Sequence, residues 1–315
     1  HHNSPLKNIR IWEFTMTTAN DMPTGTTTDT DPKISVRLLG TGGPWVDGER
    51  FGPSTLISYN DERLLFDTGR GVGIRLVQAG EDPAMISPIF ITHHHLDHIS
   101  DLADVLITSW LRGRDKELVV YGPQGTEAIV DALMNVVYAK DIEWRSVGEP
   151  AWGGWKPVRA VDVTPGMVVD MGRWKVSCDY VVHGHKLGFR KEFVKNWRCL
   201  GYRFEAAGKS IVISGDTIDC GGIRRLAQDA DVLVQCCFEN YSKCEGDEHL
   251  SRVAEFTLAD TKQTATIARE CSVGHLMATH IRPKSDADMV IMEQEIREFY
   301  NGPLTIGTDM TSLTL

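Results

Sequence analysis

Apolar and polar positions alternate at residues 34–39 and 54–59, which predicts two half-buried strands; a third at 63–66 completes a hairpin across Asn60-Asp61. Short β-branched and aromatic runs predict further strands at 87–92, 117–121, 174–182, 200–206, 209–214, 231–235 and 274–279. Between or beside them, apolar residues recur three and four positions apart. That period predicts helices at 71–79, 99–112, 124–139, 221–229, 257–271 and 286–300. Strand-rich halves with interleaved helices imply an α/β protein whose two sheets are sandwiched by helices.

Three stretches depart from this rhythm. Residues 1–32 are rich in Thr, Asn, Asp and Pro and read as a flexible leader, with His1-His2 as a tag remnant and 33–315 as one domain. Residues 140–174 read as a non-periodic insertion rich in Trp, Gly and Pro. Its Trp144, Trp152 and Trp155 either wall a substrate pocket or plug the outside of the sandwich, since indoles serve both purposes. A second insertion at 186–198 carries Phe189, Phe193 and Trp197 among five cationic residues. Those cations suit an anionic group, and a charged surface turn is the plainer alternative.

Composition narrows the class. A chain of 315 residues with 42% hydrophobic content is long enough for one large core. No run approaches the ~18 apolar residues of a membrane-spanning helix, and the first thirty residues lack a secretory apolar segment. Seven cysteines without a C-x-x-C pair read as reduced thiols, hence a cytoplasmic protein. The net charge of −10 argues against nucleic acid and for a small-molecule substrate, because phosphate-backbone binders rely on cationic faces. Base rates make a homodimer the default assembly.

The chemistry is concentrated at residues 92–98, Thr-His-His-His-Leu-Asp-His. There His93, His95, Asp97 and His98 form an H-x-H-x-D-H run at the end of a predicted buried strand. Four nitrogen or carboxylate heads in six positions cannot all be buried without a cation to compensate their lost solvation. Imidazole and carboxylate suit zinc first, with manganese or iron as alternatives. His94 points away from its neighbours and reads as structural. Other landmarks follow in order: Leu64-Leu-Phe-Asp-Thr-Gly, Val181-Val-His-Gly-His, Ile211-Val-Ile-Ser-Gly-Asp-Thr and Leu276-Met-Ala-Thr-His.

Together these motifs resemble the metallo-β-lactamase superfamily. The segments Leu38-Leu-Gly-Thr-Gly-Gly-Pro and Cys199-Leu-Gly-Tyr-Arg-Phe-Glu are similar to its ribonuclease Z and arylsulfatase-like branch. The resemblance implies a four-layer αββα sandwich, the metallo-β-lactamase fold, with two zinc ions at one edge of the sheets. It implies a first ion on His93, His95 and His183, a second on Asp97, His98 and His280, and Asp216 shared between them. His185 stays open as the alternative to His183. Asp67 is implied to orient a ligating histidine, and the loop holding Phe189, Phe193 and Trp197 to lie near the metals.

The implied activity is hydrolysis of a small ester-like substrate by a metal-bridged hydroxide: a phosphodiester, sulfate ester, lactone or cyclic amide. A ribonuclease Z-like RNA 3′-end endonuclease and an iron-containing, oxygen-using relative are the alternatives. Two departures weigh against tRNA processing. Thirty-two residues separate His183 from Asp216, too few for the long tRNA-binding arm of some family members, and Leu258 stands where that enzyme carries a proton-donating His. The proton donor is then sought among His249, His185 and Asp97.

Overall fold

A computed structural model describes residues 33–149 and 153–315. The leader read at 1–32 and Trp152 lie outside the described residues. The first sheet contains β1 (Ile34–Gly40), β2 (Ser54–Tyr59), β3 (Glu62–Phe66), β4 (Ile86–Phe90), β5 (Leu118–Gly122) and β6 (Val158–Asp162), with the late strand β14 (Ser312–Thr314) pairing β1. The second contains β7 (Val168–Asp170), β8 (Trp174–Tyr180), β9 (Leu200–Ala206), β10 (Lys209–Ile213), β11 (Val232–Cys236), β12 (His275–Thr279) and β13 (Leu304–Ile306). Both are mixed: β1–β3 and β7–β10 pair antiparallel, whereas β3–β6 and β10–β13 run parallel.

Alternation along the antiparallel strands decides which faces meet. Ile34, Val36, Leu38, Ile57, Phe66 and Phe90 from the first sheet pack against Val176, Leu200, Tyr202, Phe204 and Val234 from the second. Phe66 stacks on Phe90 at 4.9 Å, and both touch Tyr202, whose hydroxyl donates to Ile91 O at 2.7 Å across the inter-sheet space. The outer face of the first sheet is covered by α1 (Val72–Gln78), α3 (Leu102–Leu111) and α4 (Thr126–Ala132), following the short turn α2 (Leu96–Ile99). The outer face of the second is covered by α7 (Gly221–Ala227), α10 (Thr261–Glu270) and α11 (Asp286–Phe299). Three apolar layers between helices and sheets make this the αββα sandwich.

The stretch at 140–174 is more regular than its composition suggests. It holds most of α5 (Ala139–Gly148) and the edge strands β6 and β7. Trp144 is exposed on α5, and Trp155 packs edge-on against Trp110 at 5.1 Å under the helices of the first sheet. Neither described indole walls the histidine cluster. Among the described residues no helix is long and apolar enough to cross a membrane, and all seven cysteines are unpaired thiols.

Candidate metal centre

The site forms where parallel strands end, the usual place for ligands in open α/β sheets. After β3 the chain turns at Asp67, which adopts a left-handed backbone at φ 59° and is buried. Its carboxylate accepts from Thr92 N at 2.7 Å and Thr92 Oγ1 at 2.8 Å, and from His98 Nδ1 at 2.8 Å. One carboxylate therefore holds the end of β4 and orients the His98 ring, leaving its Nε2 facing inward. Behind it the backbones of Gly52 and Gly69 meet so closely that a Cβ on Gly69 would lie 2.6 Å from Asp97 O. Glycine is required there because the turn bearing Asp97 presses against it.

His93, His95, Asp97 and His98 follow β4 within the loop and α2. His183 follows β8, Asp216 follows β10, and His280 follows β12 with a left-handed φ of 56°. These seven side chains converge. His93 Nε2 and His183 Nε2 each lie 3.1 Å from His95 Nδ1, and Asp216 Oδ2 lies 3.8 Å and 3.7 Å from the same two Nε2 atoms. On the other side, His98 Nε2 is 3.4 Å from Asp216 Oδ1, and His280 Nε2 is 3.2 Å from Asp216 Oδ2 and 3.4 Å from Asp97 Oδ2. Two groups result, His93/His95/His183/Asp216 and Asp97/His98/His280, with Asp216 reaching both. His95 alone is exposed, at the solvent lip.

The structure separates His183 from His185. His183 Nδ1 donates to Thr257 O at 2.7 Å and aims Nε2 at the cluster. His185 faces away, with Nδ1 accepting from His183 N at 3.0 Å and Nε2 donating to Trp197 O at 2.9 Å. His94 also turns out, bonding Thr126 Oγ1 at 2.8 Å. Trp197, which donates to His183 O at 3.0 Å, lays its ring 4.8 Å from His95. Its position beside the histidines cannot be read from the spacing of the 186–198 segment alone.

Polar accounting tests whether the residues suit a cation. Asp97 Oδ2, His98 Nε2, Asp216 Oδ1 and His280 Nε2 are buried without any hydrogen-bond partner. Four unsatisfied atoms converging on one point would cost about 1–3 kcal/mol each in an apolar interior, and cation coordination is the interaction that satisfies lone pairs of this kind. Electrostatics agree. Burial pushes His93 well below the usual imidazole range and His183 down to about 4, so both carry a free lone pair at neutral pH. Burial works against charge on His98 and His280 too. There, however, Asp216 with Asp67 or Asp97 overcomes it and raises both, so this half of the site attracts positive charge. Burial opposes ionisation of Asp216, but His280 and His98 hold it well below the carboxylate range.

Next to His280 opens a cleft of about 220 Å³ lined by Trp45, Phe238, His249, Val253, Leu258 and Arg282 among others. His249 enters it from α9 (Glu248–Phe256), which follows α8 (Tyr241–Gly246); neither helix is among those predicted from the sequence. Leu258 faces the same cleft, where the family resemblance would place a histidine.

Two mixed sheets between helices, with a buried His/Asp centre at the strand ends, define a metal-dependent hydrolase of the metallo-β-lactamase fold. A beta-lactamase superfamily domain matches residues 62–281. A ribonuclease Z from Mycobacterium sp. (strain KMS) is 32% identical over 262 residues, spanning 81% of this chain and 88% of its own length. Among solved structures, a metallo-β-lactamase fold protein from Bacillus subtilis aligns with TM-score 0.67 at 17% identity, covering 90% of this chain and all of its own. The short form of human tRNase Z aligns with TM-score 0.63 at 19% identity, covering 89% and 98%. The chain belongs to the metallo-β-lactamase superfamily, in its ribonuclease Z branch.

These relatives, named ribonuclease Z, run against the expectation that nucleic acid is an unlikely partner and favour the alternative reading over a small-molecule substrate. That expectation rested on the net charge of −10, a sum over the whole chain. A phosphate backbone responds to local potential, and residues 186–198 carry five cationic side chains against one carboxylate beside the site.

Proposed function

We propose that this protein is a ribonuclease Z-like endonuclease that cleaves a phosphodiester near an RNA 3′ end with two divalent cations, zinc first. The observation that carries the reading is the convergence of seven side chains on a centre shared by Asp216, in a chain whose relatives are ribonucleases. His93, His95 and His183 would hold one cation, Asp97, His98 and His280 the other, and Asp216 both. Such cations supply Lewis-acid polarisation of a phosphoryl oxygen and acidify coordinated water. The remaining work falls to the chain itself. Asp67 fixes His98, and Thr257 O fixes the His183 tautomer. Asp97 Oδ2, which lacks any hydrogen-bond partner, would be free to coordinate the cation it shares with His98 and His280.

Release of the leaving oxygen needs a proton, and His249 is our candidate donor. The fold brings it into the cleft beside His280 that Leu258 also lines. His249→Ala should lower kcat on RNA by about 10²-fold with little change in KM. Hydrolysis of bis(p-nitrophenyl) phosphate should hardly change, because nitrophenolate leaves unprotonated. Equal losses on both substrates would remove His249 from this role.

Metal analysis together with cleavage of an RNA hairpin bearing a 3′ extension tests the whole reading. Two metal equivalents and discrete cleavage at the base of the extension are expected. Stable metal binding without RNA cleavage, alongside turnover of aryl esters, would refute it. Chelation should also lower Tm by about 5–10 °C, since cations bound only to the folded chain add roughly 3–4 kcal/mol at saturation. Differential scanning fluorimetry with and without chelator gives the shift.

A further inference from the structure

We infer that residues 186–198 form a stacking platform for unpaired RNA beside the metal centre, a subsite that rests on the ribonuclease reading above. The segment contains α6 (Lys191–Asn196), and its three aromatic rings stand in file. Trp197 lies 4.8 Å from His95, Phe193 stacks on Trp197 at 5.7 Å and 14°, and Phe189 lies 4.6 Å beyond Phe193. The inner ring is fixed, since Trp197 donates to His183 O at 3.0 Å while its own carbonyl accepts from His185 Nε2 at 2.9 Å. The outer rings are open: Phe189 is 47% and Phe193 41% exposed. A segment that only plugged its own loop would bury those rings. Here they run from the lip of the site into solvent.

Charge selects the occupant. Lys186, Arg190, Lys191 and Lys195 are exposed, and none is in an ion pair among the described residues. The one carboxylate of the segment, Glu192, instead accepts from Asn196 at 3.3 Å. Arg198 is committed to the Tyr180 ring, 5.1 Å below its guanidinium. Free cations interleaved with exposed aromatic rings are the arrangement that single strands need: phosphates meet the cations while bases stack on the rings. Duplex RNA offers no free base faces and would use only the charges. The platform begins at His95, so the strand it holds is the unpaired segment adjoining the scissile phosphate. It also explains how a chain without room for a long arm between His183 and Asp216 engages its substrate.

The test is fluorescence anisotropy of a labelled, phosphorothioate-linked adenosine octamer with the metal-loaded protein, against an RNA duplex of equal length. The paired substitutions Phe189→Ala and Phe193→Ala should weaken octamer binding at least about tenfold. Duplex affinity should stay within about twofold. Phe193→Trp should bind as the wild type does. Lys191→Gln with Lys195→Gln should instead flatten the salt dependence, by about 0.7 in log K against log salt for each charge removed.

Unchanged octamer affinity in the double alanine variant would overturn the platform, as would an equal loss for the duplex. Hairpin cleavage by a wild type that binds octamer no better than duplex would overturn the platform and leave the ribonuclease reading standing. A wild type that neither binds nor cleaves RNA would overturn both. If Phe193→Ala raised only the KM for an aryl ester, the ladder would wall a small aromatic substrate and the inference would fall.

Discussion

Asp216→Ala is expected to empty the centre of metal and lower RNA cleavage at least about 10³-fold, while the metal-free chain stays folded. Asp216 is buried at the junction of both groups, and its two oxygens lie 3.2–3.8 Å from the inward nitrogens of His93, His98, His183 and His280. It is the one side chain that can neutralise charge on either side. Removing it leaves each group of candidate ligands with less negative charge to offset a cation, so affinity should drop in both groups together. The fold rests on three large apolar clusters, none of which includes Asp216. Asp67→Asn makes the graded comparison. It weakens the orienting bond to His98 without deleting a candidate ligand, and should cost only about 10–100-fold in metal affinity. Elemental analysis, kcat and the Tm of the metal-free proteins separate the outcomes. An Asp216→Ala protein with full metal content and turnover would place the chemistry elsewhere.

The centre was legible because its chemistry is written locally. Four candidate ligands fall within six residues, and the other three each close an apolar strand, so strand periodicity and residue type point to the same positions. Fixing His183 over His185 took tertiary information, since the choice depends on which ring Thr257 O and Trp197 O engage. The inner strands were legible for the same reason as the ligands: both faces are buried, so the apolar runs are long.

Edges were not. β13 and β14 are three residues each, and β6 and β7 carry few fully buried positions, leaving little contrast for a period to show. α5 and α6 bury one residue or none, so their sequences look like loop, whereas α9 places Leu250, Val253 and Ala254 on one face and was missed although that spacing is helical. Substrate class was the larger miss. Net charge averages over the whole surface, whereas recognition depends on which cations lack partners and what stands beside them. Only the folded loop shows Lys191 and Lys195 unpaired next to a file of aromatic rings.

Lys284→Met should cost about 3–5 kcal/mol of stability, the loss expected when one partner of a buried ion pair is removed. The Lys284 side chain is 1% exposed and pairs with Glu239, which is 8% exposed and also accepts from Asn240 N at 2.9 Å. Glu239 lies on the exit from β11, and Lys284 follows His280 by four residues on the exit from β12. The pair therefore ties together the two loops beneath one side of the metal centre. Methionine roughly fills the lysine's volume but strands the carboxylate with a single backbone donor. Adding Glu239→Leu removes the stranded charge, so the double variant should recover most of the lost stability in urea denaturation. Its His280 loop would still lack the tie. Metal affinity should then stay below wild type even where stability returns, and a double variant restored in both would show that the pair serves folding alone.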